Sequence, residues 1–229
     1  MSSLQKHVLI VAGGSGKRMK TSIPKQFLEI NALPVLMHTF YAFLRTYDDL
    51  LFTLVLPGEQ IDHWKNLCNK HHFKTEHKIV AGGKTRFHSV KNGLKYVKDS
   101  CIVAIHDGVR PLVSSKTIIS CFEKAEAKGN AIPLIPLTES VRKKKDNYSI
   151  AVARNDYLIV QTPQVFKAEI IKKAYQQNYE SSFSDDASVL EKAGYNIEGV
   201  EGNYENIKIT HASDLSIASV MLSDFPSLP

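Results

Sequence analysis

The 229-residue sequence lacks the features that mark membrane and secreted proteins. It does not begin with a charged segment followed by a long apolar run, so we expect no secretory signal. No apolar run approaches the ~20 residues that cross a bilayer, which argues against a membrane helix. There are only three cysteines, an odd number, and Cys68, Cys101 and Cys121 lack the spacing of metal ligands. We therefore expect reduced thiols in a cytoplasmic protein rather than disulfides or a metal cluster.

Internal repeats, low-complexity tracts and linkers are also missing, so we treat residues 1–229 as a single domain. Hydrophobic residues make up 43% and charged residues 23% of the chain, as in ordinary soluble globular proteins. The formal net charge of +6 suits an anionic partner. It does not distinguish a nucleotide, a phosphate ester and a nucleic acid from one another.

Apolar runs of strand length alternate with segments of helical periodicity along the chain. The runs predict strands at 7–12, 51–56, 77–80, 101–105 and 131–135, and helices at 34–46, 59–70, 85–97 and 114–127. Such alternation predicts an α/β fold with a mostly parallel sheet and helices on both faces. Ligands of these sheets bind at the carboxyl ends of the strands. We therefore expect the chemistry in the loops that follow residues 12, 80 and 105.

One segment interrupts this alternation. Residues 137–152, LTESVRKKKDNYSIAV, predict two strands joined by a basic turn at Lys143–Asn147. The three lysines favour a solvated hairpin tip over a nucleic-acid patch. A two-stranded ribbon is only marginally stable alone in water, so this protruding arm at about 137–153 needs a surface to pack against. Val141, Tyr148, Ile150 and Val152 offer an apolar face to a second chain.

The first predicted strand runs into a glycine-rich loop with Gly13, Gly14 and Gly16. Glycines let backbone N–H groups approach a ligand and form an anion-binding concavity. The loop does not match G-x-x-x-x-G-K-S/T, because Arg18 follows Gly16-Lys17. It does not match a dinucleotide-binding fingerprint either, which would require glycine at position 19. Arg18 and Lys25 flank the loop, so they could neutralise a polyphosphate from two sides.

The motif AGGSGKRM followed by PKQF resembles the signature of nucleotidyltransferases that activate sugar or alditol phosphates. Five further blocks occur in the order seen in the 2-C-methyl-D-erythritol 4-phosphate cytidylyltransferase family. They are GGKTRFHSV (82–90), HDGVRP (106–111), RNDYLIVQTPQVF (154–166), DDASVLEKAG (185–194) and EGNYENIKIT (201–210). The resemblance covers nearly the whole chain. The chain has Ala-Gly-Gly and HDGVRP where many members have Ala-Ala-Gly and HDAARP, and both changes keep residues small where backbone approaches the nucleotide.

This resemblance implies a Rossmann-like fold of the nucleotide-diphospho-sugar transferase type and a set of site residues. The residues expected to stabilise charge during catalysis are Arg18, Lys25, Arg154 and Lys208. The residues expected to bind CTP are Ala12, Gly13, Gly14, Gly16, Gly83, Lys84, Ser89 and Gly108. The residues expected to bind the second substrate are Asp107, Arg110, Thr162 and Ser184. For Arg86 a purely structural role stays open.

Asp107 ends a predicted buried strand at the expected ligand-binding edge. An oxygen ligand in this position suits Mg²⁺ or another divalent cation, which bridges phosphates and keeps several waters. The alternative is a helix-capping role for the same carboxylate. The resemblance favours the metal and substrate role.

The implied reaction transfers CMP from CTP to 2-C-methyl-D-erythritol 4-phosphate and releases pyrophosphate, a step of non-mevalonate isoprenoid synthesis. The resemblance also implies a homodimer in which the arm reaches the partner, and neither a nucleic acid nor a membrane is expected as a partner. Two alternatives stay open. One is ribitol 5-phosphate cytidylyltransferase, a relative with the same CTP loop, and the other is a non-catalytic nucleotide- or RNA-binding protein on the same fold.

Overall fold

Alternating strands and helices surround one mixed sheet in the computed structural model, which describes residues 4–13 and 23–223. The helices are α1 (Val35–Leu44), α2 (Ile61–Lys70), α3 (Arg86–Leu94), α4 (Ser115–Lys128), α5 (Ala168–Ala174), α6 (Asp186–Lys192) and α7 (Ala212–Ser223). The strands are β1 (Gln5–Val11), β2 (Glu29–Ile30), β3 (Leu33–Pro34), β4 (Leu51–Leu56), β5 (Lys78–Ala81), β6 (Cys101–Asp107), β7 (Asn130–Pro136), β8 (Arg142–Lys144), β9 (Ser149–Ala151), β10 (Leu158–Val160), β11 (Gln164–Lys167) and β12 (Gly199–Glu201).

The main sheet has the strand order β5-β4-β1-β6-β11-β7, and both β10 and β12 also pair with β7. Strand β1 is parallel to β4 and β6, and β4 is parallel to β5. The predicted mostly parallel α/β sheet is thereby confirmed. All the strands and helices predicted up to residue 135 are present, with ends shifted by a few residues.

Strand β11 is the main feature that the alternation pattern did not predict. It pairs antiparallel with β6 on one side and with β7 on the other, so it separates these two strands. Its residues Gln164, Val165 and Phe166 are buried. A four-residue strand is too short to show a clear apolar period, so its place depends on pairing with distant strands.

Helices cover both faces of the sheet, and the side chains of β1 show how the two layers are built. Val8 and Ile10 pack in a cluster with α1, α2 and α4, whereas Leu9 and Val11 pack in a second cluster with α3, α5 and α6. All four side chains are at most 8% exposed. An apolar run buried on both faces is typical of a central parallel strand.

Helix α4 shows how local sequence sets the ends of an element. Ser114 caps its beginning, since its side-chain oxygen accepts a hydrogen bond from Thr117 N–H at 3.1 Å. Gly129 follows its last residue with φ of 97°, a left-handed conformation that glycine adopts readily.

Among the described residues, no helix combines the length and apolar character needed to span a bilayer.

The segment predicted to be an arm contains an antiparallel pair of short strands, β8 and β9. Lys143 and Lys144 lie in β8 instead of in the predicted turn, because the chain reverses between Lys145 and Tyr148. Every residue of both strands is exposed in the single chain. The role of the predicted arm in dimerisation stays a prediction.

Candidate active site

A cavity of about 330 Å³ opens at the carboxyl ends of β1, β5 and β6. The loops after residues 12, 80 and 105 meet there, as expected for a parallel sheet. The described residues that line it are Val11, Ala12, Gly13, Lys25, Gln26, Gly83, Lys84, Thr85, Arg86, Ser89, Asp107, Val109 and Lys208.

Gly108 allows the loops after β1 and β6 to approach closely. Its N–H donates to the Val11 carbonyl at 2.9 Å. A Cβ at this position would lie 2.8 Å from the Ala12 Cβ and 3.0 Å from a Leu36 methyl carbon, closer than packed side chains tolerate. Gly108 therefore lies below the cavity floor, where its lack of a side chain allows the Ala12 loop to pack closely against the end of β6. It does not line the cavity itself.

The loop between β5 and α3 is fixed by short-range hydrogen bonds. Thr85 caps α3 by accepting from His88 N–H. The Ser89 hydroxyl donates to the Thr85 carbonyl at 3.0 Å and accepts from Gly83 N–H at 3.1 Å. A side chain at Gly83 would meet the His88 Cβ at 2.5 Å. The predicted CTP-binding residues Gly83 and Ser89 therefore form one preorganised turn on the cavity wall.

Lys25 and Gln26 enter the cavity from a short 3-10 helix, Lys25–Phe27. The Lys25 ammonium donates to the Ile209 carbonyl at 2.9 Å, and this side chain is buried. The Gln26 amide donates to the Ala12 carbonyl at 2.9 Å and to Gln60 Oε1 at 2.7 Å. Gln26 thus orients the beginning of the glycine-rich loop, while Lys25 places a positive charge beside it.

Asp107 lies among three cations at the end of β6. Its Oδ2 is 2.8 Å from Lys208 Nζ and 3.5 Å from Arg110 Nε, and its Oδ1 is 3.6 Å from Arg86 Nε. Burial opposes ionisation, but Arg86, Lys208 and Arg110 outweigh it and hold the pKa of Asp107 well below its usual value. The carboxylate is therefore ionised throughout the neutral range.

His106 and Thr162 form hydrogen bonds that hold the backbone at Asp107 in place. The His106 ring is fully buried, and burial lowers its pKa to about 4, so it is neutral near pH 7. Its Nε2 faces the Arg110 carbonyl at 3.0 Å, so this nitrogen carries the proton. Nδ1 then accepts from the Thr162 hydroxyl at 3.1 Å, and Thr162 Oγ1 accepts from Asp107 N–H at 3.1 Å. The chain of hydrogen bonds fixes the backbone around Asp107.

The structure brings together most of the described site residues that the sequence predicted. Those that line the cavity are Ala12, Gly13, Lys25, Gly83, Lys84, Ser89, Asp107 and Lys208. Gly108 and Arg110 lie directly behind it, and the Thr162 hydroxyl bonds to the His106 ring and to the Asp107 backbone N–H. The predicted residues Gly14, Gly16 and Arg18 lie outside the described residues.

Arg154 and Ser184 are placed differently from the other predicted residues. Both are exposed, and neither is among the described residues that line the cavity. Arg154 Nη1 donates to the Thr138 carbonyl at 2.7 Å, at the base of the predicted arm. Ser184 immediately precedes the Asp185 that caps α6. Their predicted contacts with substrate stay predictions.

Sequence reasoning missed Val11, Gln26, Thr85 and Val109 on the cavity wall. Gln26 stands inside the PKQF motif and Thr85 inside GGKTRFHSV, so the motifs already contained the signal. Asn206 was also missed. It is fully buried, and its side-chain amide donates to the Thr162 carbonyl at 2.8 Å. Its backbone carbonyl accepts from Arg110 Nη1 at 2.7 Å, a contact that no short motif indicates.

The cavity wall offers a carboxylate ligand to a divalent cation. Asp107 is the one carboxylate among the described residues on its wall, and these residues contain no cluster of three or more metal-ligating side chains. Mg²⁺ commonly binds one or two carboxylates and completes its coordination with waters and substrate phosphates. A single ionised carboxylate beside basic residues suited to phosphates fits such a shared site.

Comparison with known protein families gives a match over residues 6–224 to the model of 2-C-methyl-D-erythritol 4-phosphate cytidylyltransferase (IspD). The enzyme of that name from Phocaeicola vulgatus is 51% identical over 219 residues, which cover 96% of this chain and 100% of the relative. The one from Bacteroides thetaiotaomicron is 50% identical over 220 residues and covers the same shares of both chains.

Solved structures agree with these sequence relatives. The crystal structure of Francisella tularensis 2-C-methyl-D-erythritol 4-phosphate cytidylyltransferase is 30% identical to this chain, with a TM-score of 0.78. The match covers 95% of this chain and 100% of that one. Family match, full-length relatives and fold all agree with the motifs that meet at the cavity. The chain belongs to the 2-C-methyl-D-erythritol 4-phosphate cytidylyltransferase family.

Proposed function

We propose that this chain transfers CMP from CTP to 2-C-methyl-D-erythritol 4-phosphate, forming 4-diphosphocytidyl-2-C-methyl-D-erythritol and pyrophosphate. The observation that carries the proposal is the cluster of Lys25, Lys208, Arg86 and Asp107 around a cavity at the carboxyl edge of the sheet, in a chain of this family. Basic residues around one buried carboxylate suit a reaction between two phosphate-bearing substrates.

The reaction is a direct displacement at the α-phosphorus of CTP. A phosphate oxygen of methylerythritol phosphate forms the new P–O bond, and the bond from the α-phosphorus to the bridging oxygen of the β-phosphate breaks. Phosphate monoesters have a second pKa near 6, so the attacking group is already ionised at neutral pH. The protein therefore supplies positioning and charge stabilisation instead of a strong base.

Each side of the cavity takes one part of this task. The backbone of Ala12 and Gly13 cradles the triphosphate, with Gly83, Lys84 and Ser89 beside the cytidine. The motif assigns Gly14 and Gly16, which lie outside the described residues, to the triphosphate as well. Lys25 and Arg18 stabilise the charge that grows on the α-phosphate. Lys208, Arg110 and Asp107 position the second substrate, and Ser184 and Thr162 are further candidates for contacts with it.

Asp107 would hold Mg²⁺ together with the CTP phosphates. The bound ion would neutralise charge on the departing pyrophosphate. Because Lys208 lies 2.8 Å from the same carboxylate, Asp107 also restrains this lysine on the side where the second substrate enters. The carboxylate thus orders positive charge on its own chain in addition to its role toward the cation.

A homodimer completes the site in this proposal. Strand β10 exposes Leu158, Ile159 and Val160 by 40–53%, and the arm exposes Tyr148 and Ile150 by 65% and 40%. Apolar residues that are contiguous and exposed are typical of a surface covered by another chain. A C₂ pairing would cover both copies of this surface and carry Arg154, at the base of the arm, toward the partner's cavity.

We further propose a reducing, cytoplasmic location, because all three cysteines are free thiols.

Pyrophosphate release tests the proposed reaction. The protein is incubated with CTP, Mg²⁺ and either methylerythritol phosphate or ribitol 5-phosphate. We expect release with the first acceptor and much less with the second. Preferential use of ribitol 5-phosphate would assign the related alditol phosphate enzyme instead, and no release with either acceptor would favour a non-catalytic nucleotide- or RNA-binding protein.

A further inference from the structure

Arg86 binds a second carboxylate on the side facing away from Asp107. Its Nη1 and Nη2 donate to Oδ1 and Oδ2 of Asp186 at 2.8 and 2.6 Å. Asp186 begins α6, a hundred residues away in the sequence, and is fully buried. The two parallel bonds of a guanidinium–carboxylate fork fix the plane of the arginine, which one lysine contact would not do.

Asp186 is itself held in place. The Tyr175 hydroxyl donates to its Oδ1 at 2.6 Å. Burial and the neighbouring Asp186 carboxylate raise the pKa of Tyr175 well above its usual value, so the phenol stays protonated and able to donate. Gln164 anchors the same helix end, as its amide donates to Asp185 Oδ2 at 2.7 Å and its carbonyl accepts from Ala187 N–H at 2.9 Å. Asp186 is thus a rigid anchor.

The two oxygens of Asp107 face different partners as a result. Arg86 Nε approaches Oδ1, whereas Lys208 and Arg110 approach Oδ2. If the Oδ1 contact were lost, the carboxylate could rotate about its terminal torsion, which is a soft degree of freedom. Arg86, 3.6 Å from Oδ1, therefore adds a restraint on the carboxylate plane that Lys208 and Arg110, both on Oδ2, do not supply.

We propose that Arg86 is a positioning residue for the transfer reaction: Asp186 fixes its guanidinium, and the guanidinium fixes the orientation of Asp107. This inference rests on the proposed function. It gives the Arg86–Asp186 pair a role beyond joining α3 to α6. A buried ion pair by itself is weak evidence of a stabilising role, because desolvation offsets much of the attraction.

The test measures kcat and the KM of both substrates for Arg86→Lys and Asp186→Asn. Lysine keeps the charge and loses the fork, and asparagine keeps the shape and loses the charge. We expect kcat at saturating substrates to fall about 10- to 100-fold in each variant, as when a partner that orients a ligating residue is lost. The KM for CTP should change less than kcat, because Arg86 acts through Asp107.

Two controls separate positioning from stability. Phe122→Leu perturbs the core beneath α4, where Phe122 is fully buried away from the cavity lining. It should lower the melting temperature by several degrees and keep kcat per folded molecule. In an Asp107→Asn background, Arg86→Lys should cost no more than about threefold further, since residues in one chain of contacts are not additive.

Wild-type pyrophosphate release is measured beside the variants, so failure of the proposed function shows as an inactive wild type. With an active wild type, three results would overturn the inference. They are a kcat for Arg86→Lys within twofold of wild type, a rise in the KM for CTP alone, and an undiminished effect of Arg86→Lys in the Asp107→Asn background. The second would make Arg86 a direct nucleotide contact, and the third would make it independent of Asp107.

Discussion

The amino ends and the carboxyl ends of the parallel strands form two opposite edges of the main sheet, called here the amino edge and the carboxyl edge. They differ in the charge of their buried side chains. At the amino ends of β1, β4 and β5 lies a cavity of about 770 Å³, larger than the one at the carboxyl ends. Its buried polar groups include His7 and Thr53, whose side chains lie 2.9 Å apart in a hydrogen bond. Burial lowers the pKa of His7 to about 4, so the pair is uncharged near neutral pH.

The carboxyl edge instead buries carboxyl groups beside basic side chains. Asp107 and Asp186 are buried, and each is paired with arginine or lysine. Burying a charge costs free energy unless the charge is paired. A cluster of buried, paired charges is therefore typical of a site that binds a ligand or catalyses a reaction. We therefore infer the functional edge from charge organisation and strand direction instead of from cavity volume.

Replacing a lysine at each edge gives the strongest test of this contrast. Lys25→Ala should lower kcat about 10²-fold or more, because it removes a preorganised positive charge at the transition state. Lys25→Arg should restore little, since a planar fork does not replace a point charge. Lys65→Ala, on the wall of the amino-edge cavity, is the matched control and should leave turnover unchanged. Near-normal turnover of Lys25→Ala would contradict the assignment.

The next test shows whether one chain supplies all residues of an active site at the carboxyl edge, or whether the partner chain contributes Arg154. Lys25→Ala and Arg154→Ala are each expected to be nearly inactive. Mixed under conditions of subunit exchange, they form heterodimers with one intact and one doubly damaged site if Arg154 acts across the interface. Activity should then return to about a quarter of wild type for random pairing in a C₂ dimer. Confirmed heterodimers without recovered activity would rule out the shared site.

Asp107→Asn separates the metal role of this residue from a structural one. The variant keeps the side-chain shape but removes the charge, so we expect a higher Mg²⁺ concentration for half-maximal activity, by about tenfold, with the fold retained. The measurement is a Mg²⁺ titration of pyrophosphate release together with circular dichroism. An unchanged titration curve would limit Asp107 to organising Lys208 and Arg110.

The smallest expected effect concerns the amino edge and protons. The pKa of His7 is lowered to about 4 from 6.5, so the unfolded state binds more protons between these values. The stability associated with neutral His7 is fully present above pH 6.5 and is lost as pH falls toward 4. His7→Gln should therefore reduce the drop in melting temperature between pH 7 and pH 4.5 by a few degrees. An identical drop in wild type and variant would show that His7 takes up its proton without cost.

Local patterns predicted the parts of the fold and the site that depend on near neighbours. The apolar run of β4 and the helical periodicity of the segment that forms α3 are properties of a few adjacent residues. The AGGSGKRM–PKQF motif predicted a phosphate loop, and Ala12, Gly13 and Lys25 line the cavity. Strand direction then indicated which ends of the strands would meet.

The sequence by itself determined the alternation of strands and helices, the glycine-rich loop and an excess of positive charge for anionic substrates. Only the tertiary structure decided that β11 separates β6 from β7, that Lys208 meets Asp107, and that Arg86 meets Asp186. The physical reason is the range of the contacts. Periodicity and capping act within a few residues, whereas a pair such as Arg86 and Asp186, a hundred residues apart, forms only when the packed sheet and its helices bring them together.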